Sequence, residues 1–97
     1  MKKLNLAIIG QGRSGRNIHG AFFRGELNKL FEVAVVVDFD PQRREEAPEL
    51  YPGCETLEKY EDLFGRKDID LVVNASYSEM HYPITKELLL RGKNVLV

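Results

Sequence analysis

Three glycines near the amino terminus have a spacing suited to phosphate binding. Gly10-Gln11-Gly12-Arg13-Ser14-Gly15 is a G-x-G-x-x-G that follows the apolar run 6–9 and leads into a helix-like stretch. The first glycine lets the chain turn sharply off a strand, the second admits a phosphate close to the backbone, and the third allows close helix packing. Free N–H groups at the helix start would then hold the negative charge. The motif indicates a pyrophosphate site, although turns also accumulate glycine.

A carboxylate stands where a dinucleotide site needs one. The nearly continuous β-branched run 31–37 is typical of a strand buried on both faces, and it ends at Asp38. Asp38 lies 23 residues after Gly15, and a ribose-binding acid is expected about 20 residues after the glycines. We interpret Asp38 as a ribose ligand. The alternative is that Asp38 caps the helix starting near Pro41, a role that suits Asp40 better.

The same carboxylate bears on the choice between two cofactors. A negative charge at Asp38 repels a 2′-phosphate and favours NAD over NADP. Arg43 and Arg44 follow a few positions later and could offset that repulsion. In the other interpretation they are solvated helix residues within i, i+3 reach of Glu46. We favour this second interpretation for at least one of the two arginines. NAD is therefore the predicted cofactor, with NADP possible.

Composition restricts the class of protein. The 97 residues suffice for one domain, and 14 basic against 15 acidic residues give a net charge of −1, which argues against nucleic acid or an anionic membrane as partner. Cys54 is the single cysteine, so an internal disulfide is excluded and no zinc spacing is present. We see no cluster of metal ligands, and no apolar run long enough for a membrane span. A soluble, cytoplasmic protein without a metal is expected.

Strand-like and helix-like segments alternate along the chain. We predict strands over 4–9, 31–37, 54–56, 69–75 and 94–97, and helices over 13–28, 41–46, 57–64 and 79–91. The last helix is expected to bury one stripe and to end at Gly92. This stripe carries Met80, Ile84, Leu88 and Leu89. Lys93 would then be solvent-exposed at the edge of the sheet away from the cleft.

Alternation of this kind predicts an α/β fold. Parallel strands joined by right-handed crossovers give a Rossmann-type doubly wound sheet with strand order 3-2-1-4-5. We predict one dinucleotide-binding domain over 1–97. The sheet would be truncated within its fifth strand, and a substrate domain would be absent from the chain.

Taken together, the motifs resemble those of one enzyme family. The set includes the glycine turn with His19 on the helix after it, and four further segments. These are Val37-Asp38-Phe39-Asp40-Pro41, the stretch 57–64, Asp70-Leu71-Val72-Val73 with His81, and the stretch 91–97. Over its whole length the chain resembles the amino-terminal domain of the Gfo/Idh/MocA oxidoreductases.

The resemblance implies a cofactor site and a reaction. The implied cofactor-binding residues are Gly10, Gln11, Gly12, Arg13, Ser14, Gly15, Asp38, Phe39, Arg43, Ala75, Ser76, Tyr77, Ser78 and His81. The parent enzyme would transfer a hydride between NAD(P) and an alcohol carbon of a sugar, cyclitol or related small molecule. Its substrate would be held mainly by a carboxyl-terminal domain, and it would be a homo-oligomer. A Glu-Lys-Pro lysine beyond Val97 would assist proton transfer, so the fragment alone is expected to be inactive.

Several of these residues have more than one interpretation. Arg13 would pair with the pyrophosphate, reach the substrate side or remain exposed. Ser76-Tyr77-Ser78 replaces a Thr-Pro-Asn-like turn of many relatives, and Tyr77 either stacks near the nicotinamide or fills the cleft wall. His81 either lines the nicotinamide pocket or is structural. We interpret His19 as structural.

Two other functions share parts of this pattern. A methyltransferase also combines a glycine turn after its first strand with an acid ending the second, but the third glycine fits a dinucleotide better. A non-catalytic module that senses NAD would need only the cofactor site. Substrate identity is not encoded in the motifs.

Overall fold

The computed structural model describes residues 3–10, 31–76 and 78–96, and the predicted helix over 13–28 lies outside them. The described strands and helices follow one another in the order expected from the sequence. They are β1 (Leu4–Ile9), β2 (Phe31–Val37), α1 (Pro41–Leu50), β3 (Glu55–Leu57), a 3-10 helix (Tyr60–Leu63), β4 (Leu71–Asn74), α2 (Ser78–Leu90) and β5 (Val95–Leu96).

All five strands form one parallel sheet in the order β3-β2-β1-β4-β5. The predicted topology is therefore confirmed. β1 is the central strand and pairs with β2 on one side and with β4 on the other. The strand order reverses at β1, and this is the point where open α/β sheets leave a crevice at their carboxyl edge.

Alternate residues of the central strand pack into two separate hydrophobic clusters, one on each face of the sheet. Leu6 and Ile8 pack in a cluster that includes Ala47 and Tyr51 from the α1 side. Ala7 and Ile9 belong to a second cluster on the opposite face, which includes Ile84 and Leu88 of α2. Alternate side chains of a strand point to opposite faces, so both faces of the sheet are covered. The apolar run of β1 follows from this double burial.

Helix α1 is longer than predicted. We expected it to end near Glu46 and the chain to break at Pro48, yet the helix continues to Leu50 with Pro48 inside it. A proline in a helix interior lacks one hydrogen bond and crowds the preceding turn. Ala47 is fully buried, Tyr51 is 5 % exposed, and the Tyr51 N–H donates to the Ala47 carbonyl at 2.8 Å. Burial of this turn against the sheet therefore outweighs the local effect of Pro48.

Helix α2 buries a narrower stripe than predicted. Ile84 and Leu88 are buried, but Met80 is 38 % exposed and Leu89 is 57 % exposed, so the expectation that all four face inward was wrong. The predicted end at Gly92 is confirmed. Gly92 has φ +78°, its N–H donates to Leu89, and the Lys93 N–H donates to Leu88. These bonds form a Schellman motif, which satisfies carbonyls of the last turn.

The shorter elements differ from their predicted bounds. The predicted helix over 57–64 is a strand end followed by the 3-10 helix, and β4 has four residues where 69–75 was predicted. Ladder-like hydrogen bonds continue at both ends of β4, from Asp70 N to Asn5 O and from Ala75 N to Ile9 O. The predicted and observed bounds of β4 therefore differ only in where regular strand pairing ends, because the flanking residues still hydrogen-bond to β1.

Lys93 is not the exposed residue that we predicted. Its side chain is half-buried, and its ammonium donates to the Arg66 carbonyl in the connection before β4. The Schellman motif turns the chain at Gly92 and directs Lys93 toward that connection. Lys93 still lies at the amino edge of the sheet, on the side opposite the carboxyl ends of the strands.

An ion-pair cluster at this amino edge gives a pH-dependent contribution to stability. Arg66 donates to both carboxylate oxygens of Asp68, at 3.0 and 2.7 Å, and to Glu55 at 2.9 Å. The hydrogen bonds from Arg66 lower the pKa of Asp68. A carboxylate with a lowered pKa stabilises the fold above its unfolded pKa of about 3.9, and this stabilisation is lost as the pH falls through the folded pKa.

We expect Asp68→Asn to lower the free energy of unfolding by about 0.5 kcal/mol at pH 7, because the pair is solvent-exposed. The difference from the unsubstituted protein should be smaller at about pH 3 than at pH 7, because lowering the pH progressively protonates the Asp68 carboxylate. Urea unfolding at the two pH values measures it, with Asp62→Asn as a control for loss of an exposed carboxylate. An effect of Asp68→Asn independent of pH would contradict this assignment.

Candidate functional site

The carboxyl ends of β1, β2 and β4 meet at one point of the sheet. Gly10, directly after β1, donates its N–H to the carbonyl of Val37, the last residue of β2, at 2.7 Å. On the other side, Ala75 donates its N–H to the Ile9 carbonyl at 2.9 Å. Three predicted site residues, Gly10, Asp38 and Ala75, are thereby brought to the strand-order reversal.

Gly10 is required by its backbone conformation and by its neighbour. Its φ is +93°, which L side chains rarely adopt. A Cβ at this position would lie 2.7 Å from the Ala75 carbonyl oxygen and 3.2 Å from the Ser76 nitrogen. The sharp turn off β1 was predicted from the motif. The close approach to the turn after β4 was not, and it means that Gly10 also packs the two halves of the site together.

Asp38 is held firmly at the tip of β2. Its side chain is only 2 % exposed, and one carboxylate oxygen accepts the N–H of Asp40 at 2.9 Å. Asp40 in turn accepts the N–H of Gln42 at 2.9 Å and is the N-cap of α1. The prediction that Asp40 rather than Asp38 caps this helix is confirmed. Asp38 instead fixes the turn between β2 and α1.

Both arginines of α1 turn back toward Asp38. The Arg43 guanidinium lies 3.8 Å from a carboxylate oxygen of Asp38 and 3.8 Å from one of Asp40. Arg44 donates to the Asp38 backbone carbonyl at 2.8 Å. Arg44 is half-buried and hydrogen-bonded, so the interpretation of Arg44 as a merely solvated helix residue was wrong. The Arg43 side chain is still 37 % exposed. The charges of both arginines face the tip of β2.

Phe39 extends the strand end with an apolar surface. The side chain follows Asp38 directly and is 64 % exposed. Several predicted site residues lie outside the described residues and remain predictions. They are Gln11, Gly12, Arg13, Ser14, Gly15 and Tyr77.

Asn74 organises the turn between β4 and α2. The side chain is 1 % exposed, and its amide donates to the His81 carbonyl at 3.2 Å and to the Thr85 hydroxyl at 2.9 Å. Its oxygen accepts from the Ser76 hydroxyl at 2.6 Å and from the Ser76 N–H at 3.3 Å. All four hydrogen-bonding positions of the amide are thus used. We did not predict this residue, although a polar residue ending an apolar strand was a visible signal.

His81 lies in the first turns of α2 with one ring nitrogen buried. Its Nε2 has no hydrogen-bond partner among the described residues. A buried polar atom without a partner costs free energy, so its retention calls for an explanation such as a catalytic role or a bound water or ion. Through its carbonyl, His81 is linked to Asn74 and so to Ser76. Ser78 is the first residue of α2.

The described residues give little support for a metal site, a membrane-spanning helix or a reactive cysteine. No group of three or more possible metal ligands occurs there, and no helix within them is long and apolar enough to cross a membrane. Cys54 is half-buried, and burial raises the pKa of its thiol. A raised pKa disfavours the nucleophilic thiolate at neutral pH.

Comparison with known proteins places this geometry in a family. Residues 4–97 match the family described as an oxidoreductase family with an NAD-binding Rossmann fold, known as GFO_IDH_MocA. An inositol 2-dehydrogenase of Arthrobacter sp. (strain FB24) is 32 % identical over 101 residues, which cover 96 % of this chain and 27 % of that protein. An L-aspartate dehydrogenase of Methanopyrus kandleri is 26 % identical, covering 94 % of this chain and 34 % of that protein.

Solved structures show the same fold. The scyllo-inositol dehydrogenase of Lactobacillus casei, with bound NAD(H) and scyllo-inositol, has a TM-score of 0.82 at 27 % identity, covering 97 % of this chain and 27 % of that one. The WlbA dehydrogenase of Chromobacterium violaceum, in complex with NADH and UDP-GlcNAcA, has a TM-score of 0.85 at 25 % identity, covering 98 % and 27 %. The chain thus spans about a quarter to a third of the length of these relatives.

Proposed function

Because the chain belongs to the oxidoreductase family with an NAD-binding Rossmann fold, we propose that it binds NAD across the carboxyl ends of β1, β2 and β4. The observation that carries the proposal is the convergence at Gly10. A backbone without Cβ lies there between a buried carboxylate at the tip of β2 and the turn after β4. This is where dinucleotides bind in doubly wound sheets.

The adenosine half belongs at β2. The Asp38 carboxylate would accept hydrogen bonds from the ribose hydroxyls, and the exposed face of Phe39 offers a flat surface to the adenine. Asp38 is fixed by the Asp40 N–H, so its orientation is set before the ligand arrives. Gln11, Gly12, Arg13, Ser14 and Gly15 would hold the pyrophosphate, as their spacing indicates.

The nicotinamide half belongs at the turn after β4. Ala75 and Ser76 follow Asn74 at the sheet edge, and Asn74 links this turn to the backbone of His81, whose buried Nε2 has no partner among the described residues. The residues present therefore fit the cofactor. His81 would hydrogen-bond the bound ligand, Ser76 and Ser78 would border it, and Tyr77 would stack on it or line the wall. Asn74 would position all of these by fixing the turn.

The complete enzyme would oxidise or reduce a small molecule by hydride transfer. Nicotinamide supplies the hydride acceptor or donor when bound. The chain's own residues would bind the two ends of the cofactor, orient its ring and exclude water from it. We assign no general base among them. The relatives are about three to four times as long as this chain. We therefore place the proton acceptor in a part of the enzyme that this sequence does not include. The same holds for the residues that select a sugar, cyclitol or other alcohol, and for any homo-oligomer contacts.

Replacing Asp38 tests the ribose assignment. We expect Asp38→Ala to weaken NADH binding by about 1 to 3 kcal/mol, since charge-assisted hydrogen bonds to the ribose are lost. NADPH binding should be weakened less, because a repulsive charge near the 2′-phosphate is removed as well. Isothermal titration with both cofactors measures the two affinities. A greater loss for NADPH than for NADH would contradict the assignment.

Asp40→Ala is the matched control. It removes a carboxylate two positions away and the N-cap of α1, at a cost of about 1 kcal/mol in stability, and it should change the ratio of the two affinities much less than Asp38→Ala does. Titration with S-adenosylmethionine in parallel distinguishes the methyltransferase alternative. Tighter binding of that compound than of NADH would overturn the proposed function.

A further inference from the structure

We propose that a cavity at the amino edge of the sheet binds the phosphate group of a small phosphorylated compound. The segment 64–70 precedes β4 and the segment 91–94 precedes β5, and they are adjacent because the Val72 N–H donates to the Asn94 carbonyl at 2.8 Å. The cavity between them has a volume of about 430 Å³, which is larger than a phosphate group and within the range of small-molecule sites. It lies at the opposite edge of the sheet from the cofactor cleft, so the proposal does not depend on the proposed function.

Cations outnumber the free carboxylates in this cavity. One carboxylate and four cations line it, namely Asp70, Arg66, Lys67, Arg91 and Lys93. The Asp70 carboxylate accepts the N–H of Asn5 at 2.7 Å. Arg66 is paired with Asp68 and Glu55. The other three cations have no carboxylate within ion-pair distance among the described residues, so their charge is available to an anion from solution.

Each of these three cations has hydrogen-bond donors to offer. Lys67 is exposed, and its side chain has no partner in the described part of the chain. The Arg91 guanidinium lies 4.6 Å from the centre of the Phe64 ring, and this stacking leaves the N–H groups at its edge free to donate. Lys93 is half-buried and donates to the Arg66 carbonyl, which takes one of its three ammonium donors. A guanidinium fork beside two ammonium groups suits the oxygens of a phosphate.

The carboxyl end of α2 opposes an anion at this place, but its effect is smaller than that of the cations. A helix macrodipole places roughly half a negative charge at the carboxyl end, and the Schellman motif at Gly92 already satisfies carbonyls of the last turn. Three unpaired cations outweigh half a charge. A phosphate monoester carries a charge of about −1.5 to −2 at pH 7, so it balances these cations better than a carboxylate does.

Titration of the isotope-labelled chain with inorganic phosphate and with glycerol phosphate, followed by backbone amide shifts in NMR, tests this proposal. At constant ionic strength, both compounds should give saturable shifts within 64–70 and 91–94, and none at Gly10. Lys67→Ala and Arg91→Ala should each weaken phosphate binding about five- to tenfold, as expected for a lost charge-assisted hydrogen bond. Arg91→Lys should recover part of the affinity. Lys86→Ala, which removes an equal charge from a different groove of α2, should change the affinity by less than about twofold.

Three results would overturn the proposal. Absence of saturable shifts up to about 10 mM phosphate would show that the cavity binds no phosphate. Equal losses of affinity in Lys86→Ala and Lys67→Ala would show only a general attraction to surface charge. Shifts at Gly10 that NADH abolishes would place the phosphate in the cofactor cleft, in which case this proposal fails and the proposed function stands. If NADH does not bind but phosphate shifts the amino-edge amides alone, the proposed function fails and this proposal stands.

Discussion

Gly10→Ala should lower the free energy of unfolding by about 3 kcal/mol, because two separate penalties coincide at this residue. The φ of +93° strains any residue with a Cβ. In addition, the new Cβ would lie 2.7 Å from the Ala75 carbonyl oxygen, which is backbone and is fixed by the adjoining hydrogen bond from Ala75 N to Ile9 O. Relief of the clash requires β1 and β4 to separate at their carboxyl ends. NADH affinity should fall as well.

Two other glycines provide matched controls. Gly53 and Gly92 also have positive φ, of +86° and +78°, yet a Cβ at either would have nothing within 4 Å among the described residues. Alanine at these positions should cost only the conformational penalty, about 1 kcal/mol each. Urea unfolding of the three variants separates strain from clash. Equal destabilisation by all three would show that the contact with Ala75 is not important.

Asn74→Leu should destabilise the chain by about 2 to 4 kcal/mol and weaken NADH binding in parallel. Leucine is close to asparagine in size, but it leaves the buried partners of the amide without hydrogen bonds. The Ser76 hydroxyl, the Thr85 hydroxyl and the His81 carbonyl would all have to find water. Loss of the amide also releases the turn after β4, which we assign to the nicotinamide.

Asn94→Leu is the corresponding change at an exposed amide, whose nitrogen donates to the Asp70 carbonyl at 3.2 Å. It should alter stability by no more than about 1 kcal/mol and leave cofactor affinity intact. Urea unfolding and NADH titration of both variants provide the comparison. If Asn74→Leu unfolds at the same urea concentration as Asn94→Leu, the buried network has no special role.

The parts of this structure that were predictable depend on neighbours close in sequence. The cap at Asp40 and the helix end at Gly92 follow from residues within one turn, and both were predicted. Strand order followed from the alternation of apolar runs with helix-like segments, since crossover rules leave few topologies. Local chemistry and handedness were sufficient in these cases.

The features that were missed depend on contacts distant in sequence. Pro48 is a local helix breaker, but the sheet against which Ala47 packs decides the outcome. Lys93 binds a carbonyl 27 residues away, and Asn74 reaches across the turn into α2. Around Asp38, the sequence was sufficient to predict which residues belong to the candidate site. That Arg44 is hydrogen-bonded to the Asp38 carbonyl while Arg43 lies only at ion-pair distance from the Asp38 carboxylate depends on side-chain geometry that spacing does not contain.

The close contact between Gly10 and Ala75 also has a consequence for the order in which the chain folds. The pairing of β1 with β4 joins residues 65 positions apart, as between Asn5 and Asp70, whereas the other described strand pairs join residues 20 to 28 positions apart. Closing the longer loop costs on the order of 1 kcal/mol more chain entropy. Such distant pairings tend to form slowly. The cleft is therefore assembled late in folding, when the β1–β2 half with Asp38 docks onto the β4 half with Asn74.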